Sequence, residues 1–186
     1  MENLTKRLEL PDVALLTLSS ENAYAGLDTD FQRRGWWAIV VSDVLEDIRS
    51  MLLANADDVP SAMTAFEEEL ELIMKQLRQG NFTRLEEQLK KTAERLRRIQ
   101  LKRPPVAVPK IFLAGEIFVR RDALSRQYLT ERLAEQGFAT ICSPVSEWML
   151  YADFLVKSGR ADCKPTLLEY LKFLLHTRYK GFYEKR

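Results

Sequence analysis

Residues 110–148 read KIFLAGEIFVRRDALSRQYLTERLAEQGFATICSPVSEW, and this stretch decides the fold. KIFLAGEI is a short apolar run with branched and aromatic residues, suited to a strand covered on both faces. Leu124, Tyr128, Leu129, Leu133 and Ala134 follow at helical spacing, and Gly137 stands where a C-terminal cap belongs. FATIC, Phe138 to Cys142, is the returning strand, which Pro144 ends because it has no amide to donate. Strand, helix and strand at this length make a βαβ unit with a short crossover. Ligands of open parallel sheets lie beyond the carboxyl ends of the strands. That rule exposes two segments to function, Gly115 to Arg120 and Ser143 to Trp148.

Working outward, residues 102–109 contain Pro104, Pro105 and Pro109 and read as an extended connector into the unit. Before it, Asp57-Asp58-Val59-Pro60-Ser61 pairs a cap residue with a first-turn proline, opening a helix to about Arg78. Gly80-Asn81 stops that helix, and a second one from Thr83 to about Leu101 completes an αα-hairpin over residues 57–101. A long helix from about Phe31 to Asn55 precedes the hairpin. Its apolar positions, from Trp36 and Trp37 to Leu52 and Leu53, cover so wide an arc that deep packing is expected. Val13 to Ser20 reads as a further buried strand, and Pro165 to Tyr179 as a last helix with a basic, aromatic tail.

The fold class expected is therefore α/β: a small parallel, Rossmann-like three-layer sheet with an inserted αα-hairpin. Residues 1–186 form one domain in this reading. Three strands are few for such a sheet, which leads us to expect a piece of a larger protein.

Composition narrows the function. The chain of 186 residues carries 28 basic and 27 acidic side chains, a balance that argues against a nucleic-acid protein. The acidic run Glu67–Glu71 and the basic run Lys90–Arg103 fall on expected helices and read as solvated faces. The longest apolar stretch, from Trp36, is broken by Ser42 and Asp43, so no membrane partner is expected. No basic start leads into an apolar run, so no signal peptide is read, and Cys142 and Cys163 are expected as reduced thiols in a cytoplasm. His176 is the only histidine, which disfavours a self-contained zinc site.

Neither a dinucleotide fingerprint, a P-loop nor a nucleophile elbow occurs. Gly115-Glu116 at a strand end lets backbone approach a ligand while a carboxylate accepts from it. Alternatively Gly115 makes room for the helix, with Glu116 paired to Arg120 or Arg121. Ser146 and Glu147 suit a ligand or, equally, the cap and first turn of a helix against which Trp148 packs. Cys142 stands where an iron–sulfur ligand or reactive thiol would sit, although a free cysteine is more often a small buried apolar residue. Two cysteines per chain supply four thiolates only across a homodimer. Asp43, Glu46 and Asp47 share a helix face, either to hold a hard cation or to meet water and basic neighbours.

LAGEIFVR with SPVSEWMLY resembles the C-terminal part of the large CoA-enzyme activase proteins related to 2-hydroxyacyl-CoA dehydratases. SSENAYAGL, WWAIVVSDVLEDI and HTRYKGFYEKR are similar to other segments of the same family, so the resemblance spans about Val13 to the end. It implies a role in anaerobic radical-type dehydration or ring reduction of acyl-CoA thioesters, with one electron driven by ATP onto an iron–sulfur protein. Activase ATPase domains or dehydratase subunits would be the partners, and acyl-CoA the ligand. The ATPase half is not present in this sequence. Gly115, Glu116, Arg120, Ser146 and Glu147 match the family motif in a ligand-facing role, and Cys142 is the candidate metal ligand. The family's cluster cysteine aligns near Ser146 instead of Cys142, a departure from the family pattern. The rival expectation is an interaction or scaffold module that keeps the fold without a cluster and uses the hairpin as its contact surface.

Overall fold

The structure, a computed structural model, describes residues 28–160 together with 174, 175, 177 and 178. The expected strand at Val13–Ser20, Cys163 and His176 lie outside the described residues, as does most of the last helix. The chain divides into two compact units, Met1–Arg33 and Arg34–Arg186. The fold is α/β, mostly helical around a small parallel sheet. In chain order it comprises α1 (Thr29–Asn55), α2 (Val59–Gln79), α3 (Phe82–Leu96), a 3₁₀ turn at Pro105–Ala107, β1 (Lys110–Leu113), α4 (Ile117–Arg121), α5 (Leu129–Glu135), β2 (Ala139–Cys142) and α6 (Val145–Lys157). All of these elements lie in the second unit, apart from the start of α1. No helix among the described residues is long and apolar enough to cross a membrane.

Helix α1 is the central member, because its apolar residues serve two cores. Trp36, Trp37, Leu45 and Leu52 pack with Phe66 and Ile73 of α2 and with Leu85 and Leu96 of α3. Ala54, with Met51 and Leu53 beside it, joins Val108, Ala134 and Ala139 around the sheet. A helix clothed on both sides needs apolar residues around much of its circumference, which explains the wide arc in its sequence.

The hairpin forms as its punctuation dictates. Asp58 accepts from the Ser61 amide at 3.1 Å to cap α2, with Pro60 in the first turn. Gly80 ends α2 at φ 70, a left-handed conformation that favours glycine, and Asn81 caps α3 through the Arg84 amide at 3.1 Å. An isolated antiparallel bridge between Ala56 and Leu101 closes the base. The fully buried Asn55 donates to the Arg103 carbonyl at 2.7 Å, tying the connector to the end of α1.

Between α2 and α3 lies one buried carboxylate. Glu69, 4% exposed, accepts from Thr92 at 2.5 Å, Arg95 at 2.8 Å and Gln88 at 3.1 Å. Burial alone would raise its pKa, but those hydrogen bonds and the Arg95 charge outweigh it and hold the carboxyl below its ordinary value. A depressed acid adds stability above its unfolded pKa and loses it as pH falls through the folded one. Glu69→Gln is therefore expected to lower stability at pH 7 by roughly 1–3 kcal/mol. It should also flatten the loss on acidification below the ordinary glutamate value of 4.5. Denaturant unfolding of both proteins at pH 7 and pH 3 measures the difference; equal acid sensitivity would refute it.

β1 and β2 pair in parallel, Lys110 with Ala139 through Leu113 with Cys142. Along β2, the Ala139 and Ser143 amides donate to Pro109 and Leu113, so those of Thr140 and Cys142 face away from β1. Thr140 donates to Ser50 Oγ at 2.6 Å, and the Cys142 amide donates to Asp47. Ser50 and Asp47 stand one turn apart on α1, so this helix supplies acceptors to the outer edge of β2. Any extension of the sheet falls to β1, whose Phe112 is 63% exposed.

Two expectations need correction. The crossover is not one helix from Leu124. Asp122 Oδ2 accepts from the Ser125 amide at 2.6 Å, and Gln127 and Tyr128 adopt φ 51 and 54. This local turn leaves Leu124 and Tyr128 exposed and delays α5 to Leu129. In addition, α3 ends at Leu96, and Leu101 belongs to the bridge.

Candidate functional site

The carboxyl ends of β1 and β2 open onto two turns, each followed by a helix. After β1, Gly115 takes φ 127, and a Cβ added there would meet nothing within 4 Å. The turn therefore needs glycine for its backbone and stands open, instead of making room for a helix. Glu116 Oε2 accepts from the Phe118 and Val119 amides at 2.8 and 3.3 Å. It caps α4, and no described ion pair joins it to Arg120 or Arg121.

After β2, the expected capping by Ser146 does not occur. The N-cap position is Pro144, which has no side chain to cap with. Asp43, reaching in from α1, accepts from the Val145 and Ser146 amides, both at 2.9 Å. Glu147 is exposed and accepts from Ser143 Oγ at 3.4 Å. Trp148 is 53% exposed, so it does not pack against the fold as expected.

Between the two turns lies a cluster of three arginines. Arg121 Nη2 donates to Asp43 at 2.6 Å and to the Ser143 carbonyl at 3.2 Å. Arg126 Nη1 donates to Glu46 at 3.0 Å and to the Arg120 carbonyl at 3.2 Å. Arg120, 6% exposed, donates through Nε to the Gly115 carbonyl at 3.0 Å. Among the described residues no carboxylate pairs with it, and its buried Nη1 has no acceptor. Buried Nε atoms of Arg121 and Arg126 are likewise without acceptors. These guanidiniums settle the use of the α1 carboxylates, since Asp43 and Glu46 are ion-paired. Burial raises the pKa of Asp47, which Arg121 and the Cys142 amide lower and Glu46 and Asp43 raise further. Among the described residues, no group of three acidic, histidine or cysteine side chains is arranged to hold a metal ion.

Cys142 is buried, and its thiol donates to the Arg120 carbonyl at 3.6 Å. Burial pushes its pKa up, Arg121 opposes this, and Glu46 adds to it, so the thiol keeps its proton. An iron–sulfur cluster needs about four thiolates. The described residues offer one protonated thiol, and they do not by themselves make a cluster site.

Of the residues singled out in the sequence, Gly115 and Arg120 meet at the strand end, whereas Glu116 and Glu147 serve local hydrogen bonds and Ser146 is held through its amide by the distant Asp43. Arg121 and Arg126 were missed as site residues; Arg-Arg at 120–121 with Arg126 was the visible signal, and Asp43, read as a cation ligand or the partner of a basic neighbour, takes the second role. A cavity of about 250 Å³ lies elsewhere, at the hairpin base, lined by Asp57, Asp58, Ser61, Ala62, Ile99 and Gln100. Its polar lining includes Asp58, already committed to capping α2, and no basic group. No family model, curated protein or solved structure matches the chain.

Proposed function

We propose that this chain is a 2-hydroxyacyl-CoA dehydratase/activase-related domain on the substrate-binding side of an anaerobic, cytoplasmic system. It holds acyl-CoA at the carboxyl ends of a Rossmann-like three-layer sheet, which a third strand completes at the open edge of β1. The observation that carries this reading is the strand-end arrangement of an open glycine turn beside buried arginines. Exposed Phe118 and Trp148 stand on the helices leaving the two strands. Coenzyme A thioesters present phosphates and an adenine, which guanidinium and aromatic groups recognise. An ATP-dependent activase and dehydratase subunits are the partners, and the electron-delivering cluster is theirs.

Titration of the full chain with a 2-hydroxyacyl-CoA tests the reading, with iron measured in the same anaerobic preparation. Binding in the range of roughly 1 μM to 1 mM is expected, typical of substrate sites. Gly115→Val should abolish it, because a β-branched residue cannot adopt φ 127. The competing scaffold reading rests on Leu72 and Met74, apolar side chains exposed on α2. A chain that ignores acyl-CoA and dimerises through the hairpin would replace our proposal with that one.

A further inference from the structure

The geometry points to Arg120 as the anchor of a phosphate-type oxyanion, bound at the turn that leaves β1. Burying a cation without a counter-charge is unfavourable, so natural proteins give such groups an anionic partner. Arg121 and Arg126 obey this rule through Asp43 and Glu46. Among the described residues Arg120 has no such partner, although it is 6% exposed and its Nη1 is fully buried. Its Nε is fixed by the Gly115 carbonyl, which orients the planar group and leaves the Nη edge for an acceptor. A guanidinium held along one edge suits an oxyanion with two oxygens to offer. The open space at Gly115 lets such a group come close to the backbone. The amides opening α4 take no part, since Glu116 already occupies them.

The oxyanion itself is inferred from Arg120 alone; its source in coenzyme A rests on the proposed acyl-CoA function. The experiment titrates the full chain with pyrophosphate, coenzyme A and dephospho-coenzyme A, in wild type, Arg120→Lys and Arg120→Gln. Arg120→Gln should weaken pyrophosphate binding about tenfold or more, the scale of a charge-assisted hydrogen bond. Arg120→Lys should recover only part, since an ammonium lacks the planar fork. Without ligand, Arg120→Gln should melt no lower than wild type, because it removes an unmatched buried charge. A structural arginine would give the opposite shift, and that result would overturn the proposal. So would a wild-type chain that binds none of the three probes, or pyrophosphate binding that ignores both substitutions. Arg120-dependent pyrophosphate binding without coenzyme A binding keeps the oxyanion site and removes the acyl-CoA reading. Coenzyme A binding that ignores Arg120 does the reverse.

Discussion

Asp43→Ala is expected to destabilise the protein by roughly 3–5 kcal/mol, the scale for breaking a buried ion pair. The side chain is 9% exposed and meets three donors at once: Arg121 at 2.6 Å and the Val145 and Ser146 amides, both at 2.9 Å. Alanine would strand a mostly buried guanidinium and uncap α6, whose own N-cap residue is proline. At about 2–4 °C per kcal/mol for a chain of this size, the melting temperature should fall by about 6–20 °C. Asp43→Asn keeps an acceptor without the charge, and its cost should be about half as large. Hydrogen exchange at Val145 and Ser146 locates the effect, because both amides lose their acceptor in the alanine variant, whereas asparagine keeps one oxygen and so serves one of the two. A melting temperature within about 2 °C of wild type would refute the role given to Asp43. Through this contact α1 sets the position of the Ser143–Trp148 turn, so loss of Asp43 should also weaken any ligand held there.

The second large effect is expected at Trp37. It is 4% exposed and lies where α1 meets the hairpin, its ring 5.0 Å from that of Phe82 at an interplanar angle of 53°. Trp37→Ala removes the indole from a core that includes Phe66, Ile73 and Leu85, for an expected loss of about 3–5 kcal/mol. Phe82 opens α3 directly after the Gly80-Asn81 turn, so the aromatic pair pins the hairpin's tip to α1. A double-mutant cycle with Phe82→Leu should give a coupling of about 0.5–1.5 kcal/mol. The quantity to measure is the denaturant midpoint at unchanged slope. A loss under about 1 kcal/mol would mean that the site collapses around the cavity and that the hairpin does not depend on this contact.

The two variants act on opposite sides of one helix. Trp37 joins α1 to the hairpin, while Asp43, Asp47 and Ser50 join it to the ends of the sheet. Asp43→Ala should therefore disturb the strand-end turns, whereas Trp37→Ala should loosen the hairpin.

Local chemistry was legible in the amino-acid sequence wherever cause and effect lie a few residues apart. Asp58 and Pro60 start α2, Gly80 and Asn81 separate α2 from α3, and Gly137 turns the chain into β2, each acting within one helical turn. The parallel pairing followed from two apolar runs and a short crossover, and the wide apolar arc of α1 foretold a deeply packed helix, which the structure places between two cores. Tertiary structure alone decided how charge is distributed at the strand ends. Ser146 had the residue type of a cap, yet the capping carboxylate comes from Asp43, 102 and 103 positions from the amides it accepts from. Three carboxylates on one helix face looked alike in the sequence; packing paired two with arginines some 80 positions away and set the third against a strand amide. Among the described residues, the same packing left Arg120 without a counter-charge. Helical period and capping are short-range preferences written into neighbouring residues, whereas the partner of a buried charge is fixed only when distant segments exclude water around it.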